Sequence, residues 1–215
     1  MSGETFRYVL LGIQGTLVIT FVSLFLGSIL AVPVTLARRS KSVLLRGLST
    51  TYIEAIRAVP PLVWLFLVFF GLPQLSSWFK FSPIAASIIS FTAIASCYLA
   101  EIYRSGISAL GIGQLEASRA LGLPAFTTGR LVVAPQVLKV SGPSIATYGI
   151  GLLKDSALAS TIGVLELAFR AGTEVQLTGK GLTLFSFIGV IYLLLSLPLA
   201  FISRWFDSRQ RSTQG

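Results

Sequence analysis

The chain has 215 residues, 53% of them hydrophobic and only 12% charged, with a formal net charge of +9. A soluble domain carries about twice that share of charge, so an ordinary water-soluble globule is excluded. The basic surplus is dispersed over short connections without a recognisable recognition module, which excludes nucleic acid as a partner, and the absence of histidine removes the commonest transition-metal ligand and general base.

Charge divides the sequence into segments. No charged residue stands between Arg7 and Arg38, between Arg57 and Lys80, between Lys80 and Glu101, or between Lys180 and Arg204. Each gap reaches the roughly 20 residues that a helix needs to cross the hydrocarbon core. With no water there to satisfy peptide groups, each is expected to be helical. A further apolar region, residues 140–165, is interrupted only by Lys154 and Asp155. The expected fold class is all-α: a polytopic membrane protein with about five transmembrane helices, forming one domain over residues 1–215.

In chain order, the first span covers about residues 10–36. Its uncharged run is too long for the apolar core of a secretory signal, and further spans follow it, so it is read as retained. Span two, about 59–78, opens on Pro60 and Pro61, whose missing N–H groups cost little at a helix start. Span three, about 83–102, holds the lone Cys97, expected to be buried and inert. Span four covers about 142–164 and span five about 182–202. Pro33 and Pro198 lie inside apolar runs and are expected to kink their helices. Gly12, Gly15, Ala85, Ala86, Gly142, Gly149 and Gly151 offer close helix contact in lipid. The polar ends, 1–5 and 210–215, are expected to fray. Twelve of the 17 basic residues fall on one side of a five-span arrangement, and the positive-inside rule then puts the N-terminus outside and the C-terminus in the cytoplasm.

The connection between spans three and four is far longer than two adjacent helices need. Residues 114–121 are good helix formers, with Ala117, Ala120 and Leu121 at i, i+3 and i+4. Gly122 and then Pro124 match a helix stop. A second short helix is expected from Pro124 or Ala125 to Val133, ended by Pro135. The expectation is two small helices with a glycine corner, a loop of about residues 106–135 on the cytoplasmic side. An element of this kind has one physical use, which is to be gripped from outside the bilayer. Beside it, Glu101 and Arg104 stand three apart at the end of span three; such a pair contributes ~0.2–0.5 kcal/mol as a surface contact or anchors the loop. Glu54 and Arg57 repeat the spacing and are read as an interfacial pair.

The run from Glu116 to Pro135 resembles the EAA loop of bacterial ABC importer permeases: Glu116, Ala117, Ser118, Gly122 and then Val132, Val133, Ala134 and Pro135 keep its spacing. Ser118 replaces an alanine, Val132 an isoleucine and Ala134 a leucine. Four further blocks are similar to the polar amino-acid uptake permeases of that class: residues 11–17 (LGIQGTL), 54–62 (EAIRAVPPL), 98–107 (YLAEIYRSGI) and 153–158 (LKDSAL). The resemblance covers nearly the whole chain. It implies a permease subunit of an ATP-driven importer for a polar amino acid in a bacterial inner membrane. Its partners would be ABC ATPase subunits, a second permease (the same or a homologous chain) and an extracytoplasmic substrate-binding protein. Carried over by position, Glu116, Ala117, Ser118, Arg119 and Gly122 would form the ATPase-coupling surface.

The resemblance implies no enzyme activity and no cofactor in this chain, with ATP and Mg bound by the partner ATPase. Gly179 and Lys180 only mimic a phosphate loop: Glu174 stands where its first glycine belongs and Gly181 where a Ser or Thr belongs. Lys154 and Asp155 are the internal anomaly, because ionisable groups near mid-bilayer cost at least ~2.5–3.5 kcal/mol each unless they face a cavity or partner. In one reading Lys154, Asp155 and the adjacent Ser156 line the substrate pathway, where fixed charge meets the α-amino or α-carboxylate group. In the other, span four ends at Leu153 and the pair wets its outer mouth. The alternatives in function are an ABC permease for another small solute, or an ATP-independent channel or membrane scaffold.

Overall fold

The computed structural model describes residues 3–211, and the chain leaves helical geometry in them only at short corners. Helices α1 (Gly3–Leu10) and α2 (Gly12–Arg38) meet at Leu11 and form one apolar run of 36 residues. Span one therefore starts earlier than expected, and Gly3, Glu4 and Thr5 are helical rather than frayed. Met1, Ser2 and residues 212–215 lie outside the described residues. Pro33 sits inside α2 without breaking it.

Residues 43–58, expected to be part of a basic connection, are instead helix α3 (Val43–Ala58), capped by Ser42, whose Oγ accepts from Leu45 N. Val59 and Pro60 are extended, and the chain turns there by 101° into the helical run Pro61–Leu75. That run comprises α4 (Pro61–Phe66), a π turn (Leu67–Gly71) and α5 (Leu72–Leu75). Helix α6 (Pro83–Ser108) follows, capped by Ser82. The long connector holds α7 (Ile112–Ala120), α8 (Ala125–Thr127) and a second π turn (Thr128–Val133), which runs straight into α9 (Ala134–Asp155). A 3-10 segment, Ser156–Ile162, links α9 to α10 (Leu167–Thr178), and α11 (Gly181–Arg211) closes the chain, continuous through Pro198.

One expectation about a helix end fails for a physical reason. Pro135 does not stop the second connector helix, and Pro73 likewise lies inside the helical run of span two. Proline lacks an N–H and its ring collides with the carbonyl four residues back. A π turn widens the helix immediately before each: Leu72 N donates to Leu67 O and Ala134 N to Gly129 O, both i to i−5. The widened turn absorbs the proline without a corner.

By length and composition, three runs qualify as membrane spans, Gly3–Arg38, Pro83–Ser108 and Gly181–Phe206, and the bent pair Val43–Ala58 with Pro61–Leu75 makes a fourth. Helix α9 is long enough but more polar, and it packs against α2, α6 and α11. The bundle is thus all-α, as expected, with its fifth member marked by packing rather than by hydropathy. At its centre stands α6, with 61% of its apolar window buried against 6% for α11 at the periphery. The α6 face is built from small residues such as Ala86, Ser90, Ala95, Cys97 and Ala100. A Cβ on Gly27 would fall 2.5 Å from that of Ala95, so α2 and α6 pack at backbone distance. Thr35 Oγ1 donates to Ala31 O and also reaches Ala100 O at 3.2 Å. Cys97 is a free, buried thiol.

A second contact fixes the opposite end of the bundle. Glu166 is fully buried and caps α10, with Oε1 accepting from Phe169 N at 2.7 Å. Tyr192 Oη of α11 donates to Oε2 at 2.7 Å, and Thr16 Oγ1 of α2 approaches the same oxygen at 3.5 Å. One carboxylate therefore ties three helices. Gly12 makes room for it, because a Cβ there would lie 2.6 Å from Leu167 N. Arg170 stacks over Tyr8 at 4.7 Å and holds α10 to α1.

Burial pushes the Glu166 carboxyl above the ordinary glutamate range, against the opposing pull of hydrogen bonds from Ala168 N–H, the Tyr192 hydroxyl, Phe169 N–H and Thr16. A carboxyl with a raised folded-state pKa costs nothing below its unfolded pKa, where both states are protonated. Its penalty grows as pH rises from there through the folded pKa, then stays constant. Glu166→Gln removes this term. Melting of the purified protein in detergent is therefore expected to show a variant-minus-wild-type difference that grows more positive from about pH 4 upward; a difference that falls with pH contradicts it. Gly12→Ala is expected to cost about 1–3 kcal/mol of stability through overpacking against α10, read as a lower melting temperature in the same assay.

Candidate functional site

The connector is built around one corner. Helix α7 ends at Ala120, and Gly122 takes a left-handed φ of 67°, which only a residue without Cβ adopts at no steric cost. Gly122 N donates to Arg119 O and Leu123 N to Ser118 O, the paired bonds of a Schellman stop. Pro124, extended, then opens α8. The glycine corner expected from sequence is present. On α7, Ala117, Ala120 and Leu121 face out, together with Glu116 and Arg119, while Ser118 is buried and donates to Gln114 O. Leu121 and Phe126 are 77% and 78% exposed, which makes the outer face of the corner apolar, rimmed by Glu116 and Arg119. Phe126 had no part in the sequence reading; its signal was an aromatic in a polar loop directly after the stop. Gln136 Nε2 donates to Gln114 Oε1 at 3.4 Å and braces α7 on α9.

The connector joins α6 to α9, and a cleft opens between those two helices at the same end of the bundle. Its volume is about 400 Å³, and it is lined by Arg57, Tyr98, Glu101 and Ser105 on one side and Ser141 and Ser144 on the other. The α9 residues recur at three and four positions and the α6 residues likewise, so each helix offers one face. Above the cleft, the Tyr98 and Tyr148 rings stack with centroids 5.3 Å apart and planes 22° apart, closing α6 on α9. The Arg57 guanidinium lies 4.9 Å from the centre of the Tyr98 ring. Trp64 Nε1 donates to Ile56 O at 3.0 Å and pins the α3 to α4 bend from which Arg57 projects. Among the described residues no ion pair joins Arg57 to Glu54, so the interfacial pair expected there is replaced by an aromatic contact.

Glu101 at the cleft wall behaves as an anchor. Its Oε2 accepts from Arg104 Nε at 2.9 Å and Nη2 at 2.7 Å, and its Oε1 faces Arg38 Nε at 3.5 Å. Arg38 also bonds Thr50 of α3, and Arg39 reaches Ser108 at 3.4 Å. The helical pair expected at 101 and 104 is present, and Arg38 extends it to α2. This network fixes the end of α6 from which the connector departs.

Lys154 and Asp155 close α9 at its junction with the seven-residue 3-10 segment, and both are exposed. They stand at the far end of α9 from the cleft. Asp155 lies seven residues beyond Tyr148, on the same helix face and roughly 10 Å along the axis. Ser156 is fully buried, its Oγ donating to Leu153 O at 2.8 Å. Helix α9 thus runs over 134–155, not over 142–164, and the pair does not occupy its middle. The phosphate-loop mimic is explained by Gly179, which caps α10 in left-handed geometry. The Tyr98, Tyr148 and Arg57 column was missed from sequence, although Ser141, Ser144, Tyr148 and Asp155 share one helical face.

Comparison with known proteins gives a consistent assignment. The family model described as "Binding-protein-dependent transport system inner membrane component" matches residues 23–212. The chain is 42% identical over 168 residues to the probable amino-acid ABC transporter permease protein YckA of Bacillus subtilis, covering 78% of this chain and 74% of that one. It is 32% identical over 205 residues to the arginine transport system permease protein ArtQ of the same organism, covering 95% and 93%. Its backbone matches the crystal structure of an amino acid ABC transporter with histidines at a TM-score of 0.85 and 30% identity, over 96% of this chain and 95% of that one. The bundle, the connector at its end and these likenesses agree: the chain belongs to the family of binding-protein-dependent transport system inner membrane components, among the amino-acid ABC transporter permeases.

Proposed function

We propose that this chain is the membrane-spanning subunit of an ATP-driven importer for a polar amino acid in a bacterial inner membrane, with its N-terminus outside and its C-terminus in the cytoplasm. The connector carries this reading. It is a glycine-cornered element with an apolar outer face, continuous with α9 on one side and joined to α6 by three residues on the other. Such a face is suited to docking an ATPase, and Glu116, Ala117, Arg119 and Gly122, with Ser118 packed beneath them, form the surface. ATP and Mg belong to that ATPase, and this chain supplies no catalytic group. A second permease, the same or homologous, completes the bundle, and an extracytoplasmic binding protein delivers the solute.

Coupling is then a difference in partner affinity between inward-open and outward-open states. Closure of the ATPases moves the connector, the connector moves the joined ends of α6 and α9, and the bundle opens to the other side. Lys154 and Asp155 are placed by this reading at the outer entry of the solute path, where exposed charge meets the ammonium and carboxylate of an amino acid. Ser156 fixes the junction that presents them. The amino-acid class is supported by the relatives named above, and competition uptake with amino acids, sugars, phosphate and peptides tests it.

Two measurements on the assembled transporter in vesicles follow. Gly122→Val or Glu116→Lys is expected to cut uptake by about 10-fold or more while ATP hydrolysis continues; unchanged transport contradicts the coupling surface. Lys154→Gln and Asp155→Asn are each expected to slow uptake with assembly intact, and normal uptake by both contradicts their place on the path.

A further inference from the structure

We infer that the cleft between α6 and α9 is a carboxylate-binding release station, in which the Arg57 guanidinium, stacked on Tyr98, receives the α-carboxylate of the transported amino acid on the connector side of the Tyr98 and Tyr148 stack. The inference rests on the importer reading and adds to it a site, a charge and an order of passage. Among the described residues, Arg57 is the cation of the cleft with no acid in ion-pair contact. Glu101, the acid on the same wall, is engaged by Arg104 at 2.7 Å and faces Arg38 at 3.5 Å. Among the described residues no ion pair reaches Arg57 from Glu54. An arginine keeps its charge at any working pH and presents a planar fork that fits a carboxylate. The ring beneath Arg57, 4.9 Å away, orients it without consuming its donors.

The remaining lining fits the same ligand. Ser105 and Ser144, one from each helix, are exposed on the cleft. Neither side chain hydrogen-bonds to another described residue, so both are open to a small polar molecule. A volume of about 400 Å³ falls within the ~300–1,000 Å³ range of small-molecule sites. The position gives the order. Asp155 stands on the other side of the stack, farther along the same face of α9, and the cleft stands on the connector side. A solute entering at Asp155 meets the closed ring pair, and parting α6 from α9 admits it to Arg57.

The test uses the intact transporter in lipid nanodiscs, with its ATPases and partner permease, free of nucleotide and of binding protein. Radiolabelled arginine and glutamine serve as probes, displaced by the unlabelled acid or by the matching α-amide, which keeps the ammonium and side chain but lacks the carboxylate. In the unaltered transporter the amide is expected to displace about tenfold less well than the acid. Arg57→Gln is expected to weaken the acid by a similar factor and leave the amide unchanged, and Arg57→Lys to restore part of the difference. Equal displacement by acid and amide in the unaltered transporter overturns the station, and so does an equal loss for both ligands in Arg57→Gln. Absence of binding by a complex that still imports either amino acid overturns the station and leaves the importer reading in place. Failure of the complete system to import any amino acid overturns both.

Discussion

A backbone that cannot be solvated has to satisfy its peptide groups within its own helices, and this constraint shapes the molecule from end to end. The chain abandons helical bonding only where something else takes over. Ser42 and Ser82 cap two helices, a Schellman pair ends α7, and buried Glu166 caps α10. Two prolines inside the helical runs are absorbed by π turns rather than by breaks. The same economy stiffens the connector. From Ala125 to Asp155 the backbone is continuously helical, so a displacement of α8 reaches α9 without a flexible joint between.

The polar groups divide by task. Those at the two ends of the bundle hold helices together: Glu101 with Arg38 and Arg104 near the connector, and Glu166 with Thr16 and Tyr192 at the opposite end. Each is a carboxylate shared between helices, and losing a partner at fully buried Glu166 would leave an acceptor unsatisfied, a large penalty in a dry interior. Arg57, Lys154 and Asp155 differ, because they project from helix ends and bends into open space. The stacked tyrosines lie between these two open regions. Close packing of α2 on α6 through Gly27 and Ala95 gives the bundle a rigid half against which α9 can move.

Much of this was legible in the residues. Gaps between charges located the spans because each charge inside lipid is expensive, and Gly122 was readable because a helix stop followed by proline asks for a left-handed corner. Helix α3 was not legible: Arg46, Gly47 and Arg57 read as a basic connection, whereas Val43, Leu44 and Leu48 lie on its exposed surface. The helix end expected at Pro135 failed because proline is a stop signal only when the preceding turn is α-helical. Glu166 gave no signal, since its partners Thr16 and Tyr192 are 150 and 26 residues away. The Tyr98 and Tyr148 stack likewise joins two helices whose register no local pattern specifies.

The central claim is that the connector passes a nucleotide-driven displacement into the separation of α6 and α9. Spin labels at Ser105 and Ser144, on opposite walls of the cleft, measure that separation directly in the assembled transporter. The account predicts one distance without nucleotide and a different one with ATP bound, and no change when ATP is added to the chain purified without its ATPases. An identical distance in both nucleotide states of a complex that still imports solute would contradict it.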